Sequence, residues 1–354
     1  MDTMPPAHNI YIHVPFCMSK CNYCAFFSRA CTAPNWRKYT DDILSEIDFW
    51  AEKLGRIDIP TIFFGGGTPS LMPTDNFYEI IMRIRDRFNV VQNAEITIES
   101  NPGTLDATQL DNFIASGVNR LSIGVQSLND DELRFLGRRH SAADALRLID
   151  TAQSRNIRVS ADFIYGLPEH TAGTSQKLCR DINKIGLRHC SMYELTIEPG
   201  TPFGKMNLAM PSNEEMAEMY NVIDGTLSIP RYEVSNYAAP GDECRHNQNI
   251  WDGAPYIGIG RGAAGRVFLN GVWYEQLGAG TRFDPIDNTT RAIEKIITGL
   301  RTVRGISLAP DIKSALNFEY INQNPELIEI ADGCIRATKR GMLILDELVL
   351  NLIK

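Results

Sequence analysis

The sequence lacks a long apolar segment and lacks an excess of basic residues. None of its hydrophobic runs approaches the roughly 18 residues that a membrane-spanning helix needs. The chain carries 35 Lys and Arg against 43 Asp and Glu, a net charge of -8, so it offers no basic block to displace counterions from nucleic acid. The opening residues MDTMPPAHNIYI lack the basic and apolar segments of a secretion signal. These absences predict a cytoplasmic protein and argue against nucleic acid as a partner.

Cysteine is sparse, and its distribution argues against a disulfide framework. The chain of 354 residues has eight cysteines, of which three, Cys17, Cys21 and Cys24, form a C-x3-C-x2-C array. The other five are scattered: Cys31, Cys179, Cys190, Cys244 and Cys334. In a reducing compartment a tight cluster predicts a metal site, whereas scattered cysteines are small core residues.

The array favours an iron–sulfur cluster over zinc. A structural zinc site needs four ligands, usually two pairs separated by a longer loop, and a second pair is missing here. Cys31 or His13 could complete a four-ligand site, so a zinc knuckle stays open as the minor alternative. Three thiolates in one short loop suit a [4Fe–4S] cluster, because thiolates are its usual ligands and the fourth iron then stays open.

Short β-branched or aromatic runs alternate along the chain with amphipathic segments. The runs predict strands at residues 9–14, 61–64, 95–99, 120–125, 158–165 and 190–196. The amphipathic segments predict helices at residues 36–54, 76–88, 105–115, 142–155 and 176–185. This alternation predicts an α/β fold in which parallel strands and right-handed crossovers form a partial (βα)6 barrel similar to a TIM barrel.

Glycines and polar residues follow the carboxyl ends of these strands, where such barrels collect their chemistry. The turn GGGT follows the second strand, and its consecutive glycines allow a ligand to approach the backbone. Glu99 ends the third strand, Gln126 follows the fourth and Asp162 lies on the fifth. A single strand-end carboxylate is more often a helix cap or a solvated charge. Their common edge with the cysteine loop favours a binding site.

These motifs together resemble the radical S-adenosylmethionine (SAM) superfamily, and within it the oxygen-independent coproporphyrinogen III oxidase group. The cysteine array, with Tyr23 before its last cysteine, is similar to the cluster loop of the superfamily. YIHVPFC, FFGGGTPS, IESNPGTL, RLSIGVQS, DFIYGLP and YELTIEPGTPF resemble segments of the narrower group, and most closely its HemW-type heme chaperones. The resemblance runs from about Tyr11 to Gly265 and continues more weakly to the end.

The resemblance implies a radical SAM barrel that binds a [4Fe–4S] cluster and SAM, with an electron donor for the cluster. Cys17, Cys21 and Cys24 would ligate three irons, and the fourth iron would take the amino and carboxylate groups of SAM. Arg138 suits a carboxylate, and Asp162 or Glu99 suits ribose hydroxyls. The positions that match the cofactor pocket of the family are Tyr11, Tyr23, Gly66, Gly67, Thr68, Glu99, Gln126, Arg138 and Asp162.

Two functions from different classes remain open. A heme chaperone would bind heme as well as the cluster and SAM, and would pass the heme to an apoprotein. A radical enzyme would instead cleave SAM and act on a porphyrinogen, as in the anaerobic oxidative decarboxylation of coproporphyrinogen III; a radical methyltransferase is a more distant third. The oxidase has a further cysteine two residues after the third cluster cysteine, and Phe26 stands there in this chain. This difference favours the chaperone and argues against oxidase activity.

Only part of the sequence pattern of the heme chaperones is present in this chain. Their heme signature H-N-x-x-Y-W is read here as HNQNIW, which makes His246 the candidate heme residue and replaces the tyrosine by Ile250. The chain also has Ala25, Arg261 and Ala264 where chaperone-type relatives often have Asp, Ala and His. We therefore expect weaker or differently ligated heme than in those relatives.

The sequence predicts three parts. Residues 1–200 are the barrel, 201–288 an extension with the heme-associated segment, and 289–354 a small, mainly helical, winged-helix-like domain as in the relatives. Residues 278–289 are read as a connection, followed by helices at 290–300 and 312–321. The expected partners are heme or a porphyrin, a heme-accepting apoprotein, an electron donor and a second copy in a homodimer, with peripheral contact to the inner membrane.

Overall fold

The computed structural model describes residues 6–277 and 281–354. Its strands are β1 Asn9–Val14, β2 Phe16–Cys17, β3 Arg29–Ala30, β4 Asp58–Gly66, β5 Asn89–Ser100, β6 Arg120–Gln126, β7 Arg158–Tyr165, β8 His189–Glu194, β9 Asn236–Ala238, β10 Tyr256–Ile259, β11 Gly265–Leu269, β12 Val272–Gln276, β13 Phe283–Ile286, β14 Ile306–Ser307, β15 Ile328–Ala331 and β16 Cys334–Ala337.

The helices cover the outside of the sheet and form most of the C-terminal part. They are α1 Trp36–Leu54, α2 Thr74–Arg87, α3 Ala107–Ala115, α4 Asp130–Leu136, α5 Ala142–Gln153, α6 Ala172–Ile185, α7 Asn213–Thr226, α8 Arg245–Trp251, α9 Asn288–Gly299, α10 Pro310–Ala315, α11 Phe318–Gln323, α12 Lys339–Leu343 and α13 Leu345–Leu352.

The predicted partial barrel is confirmed. Six strands, β1, β4, β5, β6, β7 and β8, pair in parallel in that order, and helices α1 to α6 lie in the crossovers between them. The sheet continues on both sides. On one side β10 pairs in parallel with β1 and leads to the antiparallel strands β11, β12 and β13, and on the other side β9 pairs antiparallel with β8. The sequence analysis did not predict these added strands, which are short.

Local capping explains where the helices begin. Asn35 accepts a hydrogen bond from the backbone amide of Lys38, and α1 begins at the next residue, as predicted. The helix predicted at 105–115 begins only at Ala107, because Asp106 caps it in a reciprocal capping box with Gln109. The buried side of α1 carries Ile47 and Trp50, both fully buried. Neither α1 nor any other helix in the described ranges is long and apolar enough to cross a membrane.

The C-terminal part is mainly helical, with a second apolar core of its own. Helices α9 to α13 surround a small sheet of order β14-β16-β15. The helix predicted at 312–321 is wrong as one element, because Asn317 accepts a hydrogen bond from the amide of Tyr320 (3.1 Å) and starts a new helix, α11. The connection predicted at 278–289 contains β13 and the start of α9, and its residues 278–280 lie outside the described residues. The boundaries at 201 and 289 stay predictions.

Two leucines on α13 test how much the second core contributes to stability. Leu348 is fully buried in that core, whereas Leu350 is 80% exposed on the same helix. We expect Leu348→Ala to lower the free energy of unfolding of this part by about 2–5 kcal/mol, since it leaves a cavity. Leu350→Ala should change it by less than about 0.5 kcal/mol. Urea unfolding followed by circular dichroism measures both, and equal effects would contradict the described packing.

Candidate functional site

The loop after β1 is fixed by backbone hydrogen bonds. Strand β2 pairs in parallel with β3, and the amide of Cys31 donates to the carbonyl oxygen of Cys17 at 2.9 Å. Between these strands the chain is attached to the end of α4 by Asn22, whose backbone amide donates to the carbonyl of Leu136 (3.1 Å) and whose side chain donates to the carbonyl of Phe135 (2.7 Å). The positions of the cysteines in this loop therefore follow from the protein alone.

Cys17, Cys21 and Cys24 all line one cavity of about 430 Å³ at the carboxyl ends of the barrel strands, which we call the mouth cavity. Cys31 and His13 do not line it. Both ring nitrogens of His13 are already engaged, Nδ1 with the hydroxyl of Tyr11 (3.0 Å) and Nε2 with the carbonyl of Phe27 (2.7 Å). Neither of the two candidate fourth ligands is therefore placed with the three cysteines.

The three thiols fit a cluster better than a single ion. In residues 6–277 and 281–354 no three His, Cys, Asp or Glu side chains converge closely enough to hold one metal ion. A [4Fe–4S] cluster does not need that convergence, since each thiolate binds a different iron. Burial raises the pKa of Cys24, and the neighbouring thiols of Cys21 and Cys17 raise it further. A bound cluster would reverse this effect by supplying positive charge to the three sulfurs.

The structure brings most of the residues predicted for the cofactor pocket to the same cavity. Tyr11 is the exception, because it lies in the middle of β1 and faces the barrel interior below the mouth. The predicted residues that line the mouth cavity with the cysteines are Tyr23, Gly66, Gly67, Thr68, Glu99, Gln126, Arg138 and Asp162.

The neighbouring chain segments also require glycine in the GGGT turn, a packing reason beside the predicted approach of a ligand, which stays a prediction. A Cβ on Gly66 would lie 2.5 Å from the ring of His13, and one on Gly67 would lie 2.6 Å from the carbonyl oxygen of Phe16. Gly66 also has a φ of +113°, which side chains disfavour. Its amide donates to a carboxylate oxygen of Glu99 at 3.0 Å, so this amide is already used.

A half-buried cation and two half-buried carboxyls line the mouth cavity. The guanidinium of Arg138 donates to the sulfur of Cys21 (3.4 Å), to the carbonyl of Gly124 (2.6 Å) and to the side chain of Asn101. Burial raises the pKa of Glu99 to about 7, and the charge of Asp162 adds to the rise. The pKa of Asp162 is also raised, mainly by burial. The raised pKa values favour the protonated forms of both carboxyls, so this wall of the cavity can donate as well as accept hydrogen bonds.

A second cavity of about 390 Å³, the inner chamber, lies below the mouth cavity. The two cavities share four residues, Glu99, Ser122, Asp162 and Tyr193. The inner chamber extends to residues near the strand starts and to helix α8: Arg120, Ser160, His189, His246, Asn247 and Ile250. His246 was predicted from the sequence, whereas Arg120 was not. A signal for Arg120 was present, since it is the one charged residue of a buried strand and stands at its start.

Helix α8 is attached to the strand starts through Glu95. This fully buried carboxylate accepts hydrogen bonds from the amides of Arg245 (3.2 Å) and His246 (2.9 Å) and pairs with Arg158 at 3.0 Å. A carboxylate at the first turn of a helix satisfies amides that have no partner inside the helix. His246 is consequently held inside the barrel, with 2% of its surface exposed.

The hydrogen bonds around His246 determine its tautomer. The side-chain amide of Asn9 donates to the carbonyl of Pro255 (3.1 Å), so its oxygen is the acceptor for the hydroxyl of Thr61 (2.8 Å). Thr61 has one hydroxyl hydrogen, so its oxygen accepts from Nδ1–H of His246 (2.7 Å). Nε2 then carries a lone pair and has no hydrogen-bond partner among the described residues. Burial, with the charge of Arg120, lowers the pKa of His246 to about 3, so the ring is neutral.

Comparison with known proteins gives consistent results along most of the chain. The model of the radical SAM superfamily matches residues 11–182. The heme chaperone HemW of Escherichia coli is 36% identical over 273 residues, which cover 75% of this chain and 72% of that protein. HemW of Synechocystis is 34% identical, with coverage of 86% and 80%. The mitochondrial radical S-adenosyl methionine domain-containing protein 1 of Danio rerio is 32% identical, with coverage of 97% and 87%.

A solved structure shows the same fold over nearly the whole chain. Coproporphyrinogen III oxidase HemN of Escherichia coli, a radical SAM enzyme, superposes with a TM-score of 0.81 over 98% of this chain and 90% of that chain. The identity is 20%, so this likeness concerns the fold alone. The sequence matches are stronger evidence of relationship than the shared fold. They show that the chain belongs to the radical SAM superfamily and, within it, to the HemW family.

Proposed function

We propose that this protein is a heme chaperone of the radical SAM type, which binds a [4Fe–4S] cluster, SAM and heme and transfers the heme to an apoprotein. One observation carries the proposal: three cysteine thiols share a cavity with Arg138 and the strand-end residues in a member of the HemW family. Relatives named heme chaperone are 32–36% identical to this chain, whereas the oxidase shares its fold at 20% identity.

The proposed cofactor site divides into a cluster side and a SAM side. Cys17, Cys21 and Cys24 would hold the cluster, which would offer SAM an open iron and would pass on to it the electrons received from a donor. Arg138 stabilises the thiolate of Cys21, to which it donates a hydrogen bond. Asp162 and Glu99 accept hydrogen bonds from ribose hydroxyls. Tyr23, Gly67, Thr68 and Gln126 line the remaining wall.

His246 is the proposed heme ligand. Its Nδ1–H is anchored on Thr61 and its Nε2 has no partner in the described part of the chain, which is the arrangement of an imidazole that binds a metal. The ring is enclosed by the barrel, so coordination of heme requires α8 to separate from the strand starts. Ile250 and Ala264, which replace a tyrosine and a histidine of the family signature, line the same chamber. They offer heme no hydroxyl and no second imidazole.

Single cysteine variants test the cluster. We expect Cys17→Ser, Cys21→Ser and Cys24→Ser each to lose most of the iron and sulfide that the anaerobically reconstituted protein holds, because each thiolate binds its own iron. Cys31→Ser is the matched control, since Cys31 lies outside the mouth cavity, and should keep wild-type content. A loss of iron in Cys31→Ser as large as in Cys21→Ser would show that the ligand set is wrong.

Asp162→Asn tests the SAM side. We expect this change to weaken SAM binding by about 1.5–3 kcal/mol, as for the loss of a charged hydrogen-bond acceptor, with the cluster retained. Asp181→Asn, at a half-buried carboxylate on α6 that lines neither cavity, is the control and should bind SAM as wild type does. Calorimetry on the reconstituted proteins measures both, and equal affinities would remove Asp162 from the site. Gly66 is a poor probe, because a Cβ there would meet His13 first.

Heme titration tests the chaperone function. We expect a Soret shift with wild-type protein and a smaller one with His246→Ala, at unchanged cluster content. His189→Ala is the control, because His189 lies in the same chamber but has both ring nitrogens engaged, by Ser160 (2.7 Å) and Tyr232 (2.9 Å). Absence of a Soret shift in the wild type would contradict the proposal. So would decarboxylated porphyrin formed from coproporphyrinogen III with SAM and reductant.

A further inference from the structure

Arg120 is a buried cation without a direct anionic partner. It starts β6, is 2% exposed, and shares with Ser122 the face of the strand that lines the inner chamber, while Leu121 and Ile123 belong to the apolar core. No hydrogen bond or salt bridge joins its guanidinium to another residue within 6–277 and 281–354. Glu95 and Asp162 compensate the charge of Arg120 through space, but the N–H donors of its buried guanidinium still lack acceptors, which an anion inside the chamber would supply.

The carboxylates near Arg120 are already engaged elsewhere. Glu95 is used by Arg158 and by the first amides of α8. Asp162 accepts hydrogen bonds from Ser122 (3.2 Å) and Ser191 (2.7 Å), and Glu99 accepts one from the amide of Gly66. These charges influence Arg120 only through space. The five donors of the guanidinium are therefore left for a molecule in the chamber.

Two other groups that line the chamber indicate what else such a molecule must carry. Nε2 of His246 is a buried acceptor without a partner, and Asp162 adds carboxylate oxygens. A ligand that faces them must offer a hydrogen-bond donor. The chamber has room for a small molecule, since its volume of about 390 Å³ is near the lower end of ligand pockets.

The charged groups of the inner chamber favour a carboxylate ligand over a phosphate ligand. The chamber offers one guanidinium, and two carboxyls, Glu99 and Asp162, lie on its wall towards the mouth cavity. Where these carboxyls are ionised they repel any anion, and they repel a doubly charged phosphate more than a singly charged carboxylate, whose charge Arg120 matches. The planar fork of a guanidinium also matches the two oxygens of a carboxylate.

We propose that the inner chamber binds a small hydroxycarboxylate, with its carboxylate on Arg120 and its hydroxyl donating to Nε2 of His246 or to Asp162. This site is separate from the cysteines but shares His246 with the proposed heme site, so the molecule binds while heme is absent. The chamber adjoins the mouth cavity, with which it shares Glu99, Ser122, Asp162 and Tyr193.

Equilibrium dialysis of labelled L-lactate against the full-length, cluster-reconstituted protein without heme tests the site. We expect one saturable site in the wild type and affinity at least roughly tenfold lower in Arg120→Gln, or about 1.4 kcal/mol. Arg188→Gln is the matched control, since Arg188 lies at the same end of the barrel but is exposed and pairs with Asp242 at 2.5 Å. It should bind lactate as wild type does. Equal affinity in Arg120→Gln and Arg188→Gln overturns the proposal.

Competitors distinguish the chemical class of the ligand. Neutral L-lactamide should not displace lactate, and propionate, which lacks the hydroxyl, should displace it several-fold less well than unlabelled lactate. Inorganic phosphate at the same ionic strength should fail to compete. Displacement by lactamide or phosphate as effective as by lactate overturns the assignment, and so does the absence of saturable binding in the wild type, which means that buried water alone hydrates Arg120.

A conservative variant covers the case in which Arg120→Gln does not fold. Arg120→Lys keeps the charge but loses the planar fork, and we expect lactate affinity several-fold below wild type with normal cluster content. Wild-type affinity in Arg120→Lys contradicts two-pronged pairing at this residue and overturns the proposal. Because no heme is present in these measurements, their failure is distinct from a failure of heme binding.

Discussion

The parallel pairing of β1 with β4 is the constraint on which the site depends. In this pairing His13 lies opposite Gly65, and Val14 lies opposite Gly66. Beyond the strands, the amide of Gly67 donates to the carbonyl of Val14, and the amide of Thr68 donates to the carbonyl of Phe16, both at 2.8 Å. The cysteine loop and the glycine turn are therefore joined by backbone hydrogen bonds at the rim of the barrel. The backbones approach so closely that only glycine fits the turn, and the mouth cavity takes its shape from this contact.

Buried charge organises the barrel interior at both ends. At the mouth, Arg138 contacts the sulfur of Cys21. At the strand starts, Glu95 attaches α8 and thereby closes the barrel, while Arg120 faces the inner chamber. Glu99 and Asp162 lie on the shared wall, so a molecule in one chamber changes the electrostatic field in the other.

Sequence patterns predicted the elements that are stabilised locally. β1, α1 and β7 begin and end where expected, because apolar periodicity agrees with nearby caps such as Asn35. Helix α8 has only seven residues and was missed, since the carboxylate that caps it lies on β5, some 150 positions earlier. The helix predicted at 312–321 was wrong as one element, because the side chain of Asn317 caps the start of a second helix, α11, within that range.

The sequence by itself determined the family, the alternation of strands and helices, and the three cysteines, because spacing and periodicity are local properties of the chain. Only the tertiary structure decided which groups meet. It placed Tyr11 below the mouth, enclosed His246 behind Thr61, and left Arg120 without an ion-pair partner among the described residues. These outcomes depend on strand register and on contacts between residues far apart in the chain, which no local pattern encodes.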